Sequence, residues 1–247
     1  MGLFVRDDTY DESQRMTGFN RYKQLLSFYG LHWVKLNIIT FVVSIPLILG
    51  ITYSLLSTSL LLLIPLCIIL GALTGPFVGA LVDNIYRAMR DDSGLRWDNY
   101  KKGLRQNFRC SLLPGAILGL FIGTYSYILY LSLFSQAIVI DSFSMVALTI
   151  ALILFLNFEN LFWPQLVLFN QPLSQTIINI ILFTCKHLWK VAKIILLQLI
   201  FISFHVMFAP YTFLLLPFLS IWYFIFVSQF LLYDTLNEEL KIEEKFI

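Results

Sequence analysis

The chain is short of charge. Asp, Glu, Lys and Arg make up 13% of its 247 residues, against about 25% in a soluble domain. Apolar residues make up 58%. A soluble fold could not hide so much apolar surface, so the excess must face lipid. A net charge of +2, with no nucleic-acid motif, excludes a nucleic-acid partner. The cysteines, Cys67, Cys110 and Cys185, show no metal-ligand spacing and are expected as free thiols. Nucleophile elbow, zinc motif and phosphate-binding glycine loop are all missing. The chain therefore reads as non-enzymatic, with no metal and no cofactor. Its first 32 residues lack the apolar core of a signal peptide. Arg6 stands where the myristoylation pattern needs Ser or Thr, so the first span is expected to be the insertion signal.

What the chain has instead is long apolar runs. A helix needs about 20 apolar residues to cross the hydrocarbon core. Spans are predicted at about 33–56, 60–86, 111–134, 143–168, 190–209 and 212–232. The breaks are Ser57-Thr58-Ser59, the charged stretch 87–109, Ser135 to Ser142, the polar stretch from Asn170, and Pro210-Tyr211. This is an all-α polytopic membrane protein, with six transmembrane helices as three hairpins and cytoplasmic amphipathic helices. An arm (1–32) precedes the membrane domain (33–232, with cytoplasmic loops 87–110 and 169–189), and a tail (233–247) follows.

Three connections carry no base at all. All 17 Lys and Arg residues fall in the arm and span entrance, in alternate loops, or in the tail. Residues 87–109 alone hold Arg87, Arg90, Arg96, Lys101, Lys102, Arg105 and Arg109. Placing one base at the bilayer centre costs about 3 kcal/mol, so this stretch is not a span. By the positive-inside rule both termini are cytoplasmic. Trp33, Trp97, Trp163 and Trp189 are expected at the inner interface, and Trp222 as a packing residue.

The odd-numbered spans start near 33, 111 and 190, each after a cytoplasmic segment with amphipathic character. In 95–109 the stripe Trp97, Tyr100, Leu104 and Phe108 predicts a helix lying in the interface. Three similar hairpins account for the rhythm, and a triplication is the alternative. The proline–acid–base signature of mitochondrial carriers is missing.

Two spans carry glycine at every fourth position: Gly71, Gly75 and Gly79 in the second, Gly115, Gly119 and Gly123 in the third. Glycines four apart share a helix face and let backbones approach. The expectation is a seam between these helices, with a homo-oligomer interface as the alternative. Pro76 should kink the second span.

One carboxylate, Glu159, lies well inside a span, between Asn157 and Asn160. Together they form a candidate intramembrane polar site, either a titrating or cation-binding site facing a cavity, or a structural acid, protonated or paired with Lys35 or Lys193. Asp83 precedes Arg87 by four residues and predicts a helical ion pair. Gln198 and Gln229 read as interhelical contacts. The bases of 87–109, set against Asp91, Asp92 and Asp98, suit anionic headgroups. They are candidate lipid or partner contacts.

Several stretches resemble the YesL-like family of bacterial integral membrane proteins. LNIITFVVSIPLILG resembles its first span, GPFVGALVDNIYRAMRDD its second, and WDNYKKGLRQNFRCSLLPGAILG its cytoplasmic helix and third span. FWPQLVLFNQPLSQTIINIILFTCKHLWK is similar to its later amphipathic helix and basic re-entry. One departure is the longer hairpin between Pro46 and Gly75-Pro76. The resemblance implies a bacterial inner-membrane protein of undefined activity, often found beside carbohydrate uptake systems. It points to an accessory or scaffold role, with membrane lipids and a membrane transport complex, or further copies of the chain, as partners. A small-solute transporter or channel acting through Glu159 is the alternative.

Overall fold

The computed structural model describes residues 15–91, 97–135, 137, 139–169, 171–209 and 211–245. It is 91% helical, with no strand among the described residues. The helices are α1 (Gly18–Leu56), α2 (Leu60–Met89), α3 (Trp97–Leu133), α4 (Ser142–Phe169), α5 (Leu173–Lys186), α6 (Leu188–Met207) and α7 (Ile221–Leu240). A 3₁₀ turn (Tyr211–Leu215) and a π-helical turn (Leu216–Ser220) lead into α7, and a single turn, α8 (Ile242–Lys245), follows it. Six segments are long and apolar enough to cross a membrane: α1, α2, α3, α4, α6, and α7 with its π turn.

The arm and the first span form one helix. At about 1.5 Å per residue, the 39 residues of α1 run to about 58 Å, roughly twice the hydrocarbon thickness. The 37-residue α3 likewise joins the predicted interfacial helix to the third span without a break. The helix predicted at 95–109 is thus present from Trp97 onward, continuous with the third span. In the third unit the two parts do separate, at His187, which leaves helical geometry (φ −119°, ψ 35°) between α5 and α6.

The α2–α3 pair is the most extensive in the molecule, and glycine makes it possible. A Cβ on Gly71 would stand 2.6 Å from the Gly115 carbonyl oxygen, and one on Gly75 would stand 2.7 Å from the Gly115 Cα. A Cβ on Gly119 would meet the Gly71 Cα at 2.8 Å. At the ends of the row, Gly123 makes room for the Cys67 thiol, and Gly79 for Ser111 and the Trp163 ring. Backbone thus lies on backbone, where Cα–H···O contacts contribute about 0.5–1 kcal/mol each. Near the charged end, Gly103 admits the Asp83 carboxylate, whose Oδ2 accepts from Arg87 Nε at 2.8 Å.

The first hairpin turns at Thr58, a β-branched residue with φ +51°. That conformation is unfavourable for its side chain. Tyr127 of α3 holds the turn by donating its hydroxyl to the Thr58 carbonyl at 2.7 Å.

The last hairpin is closed by a residue that the sequence does not single out. Asn37, fully buried in α1, donates Nδ2 to the carbonyls of Leu216 (3.1 Å) and Pro217 (2.7 Å). Its Oδ1 accepts the Trp222 N–H at 3.0 Å. The chain passes here from 3₁₀ to π geometry, and Asn37 supplies hydrogen bonds to the backbone at that irregular turn, where lipid could supply none. Beyond this clamp α1 continues for about 19 residues, or roughly 28 Å. Trp33 packs beside it on Phe226 and Trp222, with ring centres 4.6 and 5.6 Å apart.

Ion pairs gather the charged segments at one end of the bundle. Arg15 binds Glu243 of the tail at 2.7 Å, and Arg21 binds Asp91 beyond α2 at 2.7 Å. Both arginines also donate to the Met89 carbonyl at the end of α2, at 3.0 and 3.3 Å. The last carbonyls of a helix lack intrahelical donors and attract cations. Lys186, at the α5–α6 junction, pairs with Glu239 of α7 at 2.7 Å. Arm, first charged loop, second charged junction and tail therefore share one face. Burial opposes the ionisation of Glu243, but donation from Arg15 and Tyr233 outweighs it and holds the carboxyl below its usual range.

Replacing Gly115 by Leu must push α2 and α3 apart. A G115L variant is expected to lose about 5 °C or more in thermal midpoint in detergent, where 1 kcal/mol shifts a chain of this size by about 2–4 °C. G30A is the control, because a Cβ there meets nothing within 4 Å. It should be neutral or stabilising. Equal midpoints for G115L and wild type would contradict the seam.

Candidate functional site

The predicted polar triad lies on α4, and its members turn to three different neighbours. Asn157 donates to Thr184 of α5 at 2.9 Å. Asn160 exchanges hydrogen bonds with Gln198 of α6, both at 2.8 Å. Glu159 accepts the indole N–H of Trp163, one turn along its own helix, at 2.5 Å. The expected convergence of Asn157, Glu159 and Asn160 on one site is corrected. Asn157 and Asn160, three residues apart, share a side of α4, toward α5 and α6, whereas Glu159 lies about 100° or more around the helix from both.

Asn160 belongs to a larger buried network. Gln198 also donates to Ser228 of α7 at 2.7 Å, and Tyr86 of α2 donates to Gln229 Oε1 at 2.7 Å. Gln229 Nε2 in turn donates to the Asn160 main-chain carbonyl at 3.0 Å. Pro164 explains that last bond. Proline has no N–H, so the carbonyl four residues earlier loses its helical donor. That carbonyl is Asn160's, and a glutamine from α7 replaces the missing bond. The network joins α2, α4, α6 and α7, and none of these side chains is left with an unpaired buried polar atom.

Glu159 differs. Its Oε1 is buried and has no hydrogen-bond partner among the described residues. Neither Lys35 nor Lys193 is seen to pair with it, and its observed partner is Trp163. The Trp163 ring fills the space that Gly79 leaves open, 3.4 Å from where a Cβ would stand. The Gly79 end of the glycine seam thus positions the side chain that holds the acid. Ser111 lies at the same place, its hydroxyl buried and unpartnered among the described residues.

No family model, no curated protein and no solved structure matches this chain.

The seven predicted basic contacts divide. Arg87 is bound to Asp83, as its spacing predicts, and Arg90 is engaged within the fold. Arg96 lies outside the described residues. Lys101, Lys102, Arg105 and Arg109 are exposed along α3. The tryptophan belt is corrected in part. Trp33 and Trp163 are core residues, buried to 0% and 3% exposure, whereas Trp97 and Trp189 are exposed. Among the described residues no three His, Cys, Asp or Glu side chains are grouped to hold a metal.

Sequence reasoning missed Asn37, Tyr86 and Ser228. A signal existed for the first: Asn37 is a lone amide in an apolar run, with Pro217 breaking a distant one. Pairing the two requires the fold.

The proline repair makes a direct prediction. Gln229→Leu leaves the Asn160 carbonyl unpaired in an apolar interior, a penalty of about 1–3 kcal/mol. Adding Pro164→Ala restores a main-chain donor. The Q229L/P164A pair is expected to recover part of the thermal midpoint lost in Q229L. Additive losses in the double variant would refute the repair.

Proposed function

We propose that this chain is a non-enzymatic accessory or scaffold protein of the bacterial cytoplasmic membrane, with both termini in the cytoplasm. Its charged end is the docking surface for a membrane transport complex. The observation that carries this reading is the contrast between interior and end. Inside the bundle, the amides of Asn160, Gln198 and Gln229 are bound to one another, to side-chain hydroxyls and to backbone. They form a closed structural network. At the charged end, by contrast, Lys101, Lys102, Arg105 and Arg109 stand exposed on a rigid helix. Chemistry remains available at the surface.

The one-sided distribution of bases supports the orientation through the positive-inside rule. The resemblance to YesL-like proteins supports the bacterial inner membrane and a link to carbohydrate uptake.

One observation favours a second reading. Glu159 is an acid within a span with a buried, unpartnered oxygen, and intramembrane carboxylates mark proton and cation pathways. In that reading the chain moves a small solute or cation by itself.

A mild-detergent pull-down from the native membrane, followed by mass spectrometry, separates the two. Co-purification of transporter subunits, reduced when Lys101 and Lys102 become Gln, is expected. Recovery of the chain alone, together with cation flux into proteoliposomes that E159Q abolishes, would replace the accessory reading with transport.

A further inference from the structure

We propose that the basic row of α3 binds the phosphate headgroup of an anionic phospholipid, centred on Arg105 and Arg109. Five other bases of the described chain are neutralised internally: Arg15, Arg21, Arg87, Lys186 and Lys241 each pair with an acid. Lys102, Arg105 and Arg109 have no acidic partner among the described residues, and Lys101 lies only over the Trp97 ring, 5.4 Å from its centre.

Geometry keeps the row outward. Gly103, Asn107, Ser111 and Gly115 form the buried face of the same helix, which Gly103, Ser111 and Gly115 press onto α2. Lys101, Arg105 and Arg109 follow at four-residue intervals, so successive cations stand about 6 Å apart along the axis. Like charges at that spacing repel, and an anion between them removes the repulsion. A shallow groove of about 410 Å³ lies at this point, lined by Leu104, Arg105, Gln106, Phe108 and Arg109. Guanidinium groups match phosphate oxygens in pairs.

At Arg105 and Arg109 the apolar neighbours select a lipid over an acidic protein segment, which leaves Lys101 and Lys102, farther from that stretch, to a docking partner. One turn beyond Arg109 the same row continues as Leu113, which is 54% exposed, and Phe108 beside the groove is 40% exposed. Cations thus give way to lipid-facing side chains along one line of α3. A headgroup at the arginines would send its acyl chains along Phe108 and Leu113. The inference rests on the helix entering a bilayer and not on the accessory role.

Native mass spectrometry of the detergent-purified full chain tests it, with phosphatidylglycerol and phosphatidylcholine of matched chains as probes. Each base beside an anionic surface adds about fivefold to affinity. R105Q/R109Q should therefore retain phosphatidylglycerol roughly 25-fold more weakly than wild type. K241Q, whose native lysine pairs with Glu244, should match wild type. Both substituted arginines are exposed, so the variant is expected to keep the wild-type thermal midpoint. Unchanged retention in R105Q/R109Q would overturn the proposal and leave the row to an acidic protein partner. Equal retention of phosphatidylcholine would overturn it as well. So would displacement of the lipid by an equal concentration of inorganic phosphate, which would mark a simple phosphate site.

Discussion

A bilayer offers no water to a backbone group that loses its partner, and this constraint shapes the whole molecule. Prolines interrupt α1, α2, α3 and α4, and Pro217 lies in the π turn before α7. At Pro164 the repair is visible, and a second bridge meets the irregular turn that holds Pro217. Gln229 covers the carbonyl that Pro164 sets free. Asn37 covers the carbonyls of Leu216 and Pro217 and the Trp222 N–H. Each repair comes from a different helix, so satisfying local backbone also fixes the tertiary arrangement. The buried amides are therefore structural fasteners.

The glycine seam answers the same constraint by another route. Apolar side chains give no net preference for a neighbouring helix over lipid. Removing them lets α2 and α3 approach until backbone meets backbone. At Gly79 the seam leaves room for Trp163, which holds Glu159. Packing and Glu159 are thus linked through a missing side chain, Gly79. Charge is handled by exclusion to one end, where Arg15, Arg21, Asp91 and Glu243 bind arm, loop and tail together.

Much of this is legible in the sequence, because the relevant signals are local. Apolar run length marks the spans, four-residue glycine spacing marks the seam, and the Asp83–Arg87 spacing marks an ion pair. What is not legible is non-local. Asn157, Glu159 and Asn160 look like one site because they are close in the chain, yet the two amides bind α5 and α6 from one side of α4 while Glu159 turns away to Trp163. Trp33 and Trp163 resemble interface anchors by position, but the aromatic cluster of α7 and the space at Gly79 draw them into the core. No property of residues 33–56 announces that Asn37 closes a turn some 180 residues later. Likewise, the bases of 87–109 look equivalent in sequence. Beyond Arg87, whose spacing from Asp83 announces its pairing, only the fold sets the open row of α3 apart from Arg90, which is engaged within the bundle.

Arm, basic segments and tail are proposed to occupy one side of a membrane, and the intervening connections the other. Membrane-impermeant maleimide labelling tests it most directly, in a background with Cys67, Cys110 and Cys185 replaced. Single cysteines would be introduced as Lys102→Cys, Lys241→Cys and Val139→Cys, the last at a residue 90% exposed between α3 and α4. In sealed right-side-out vesicles the Val139 position should label at once. The other two should label only after permeabilisation. Labelling of the Lys102 or Lys241 position from the same side as Val139 would contradict the account.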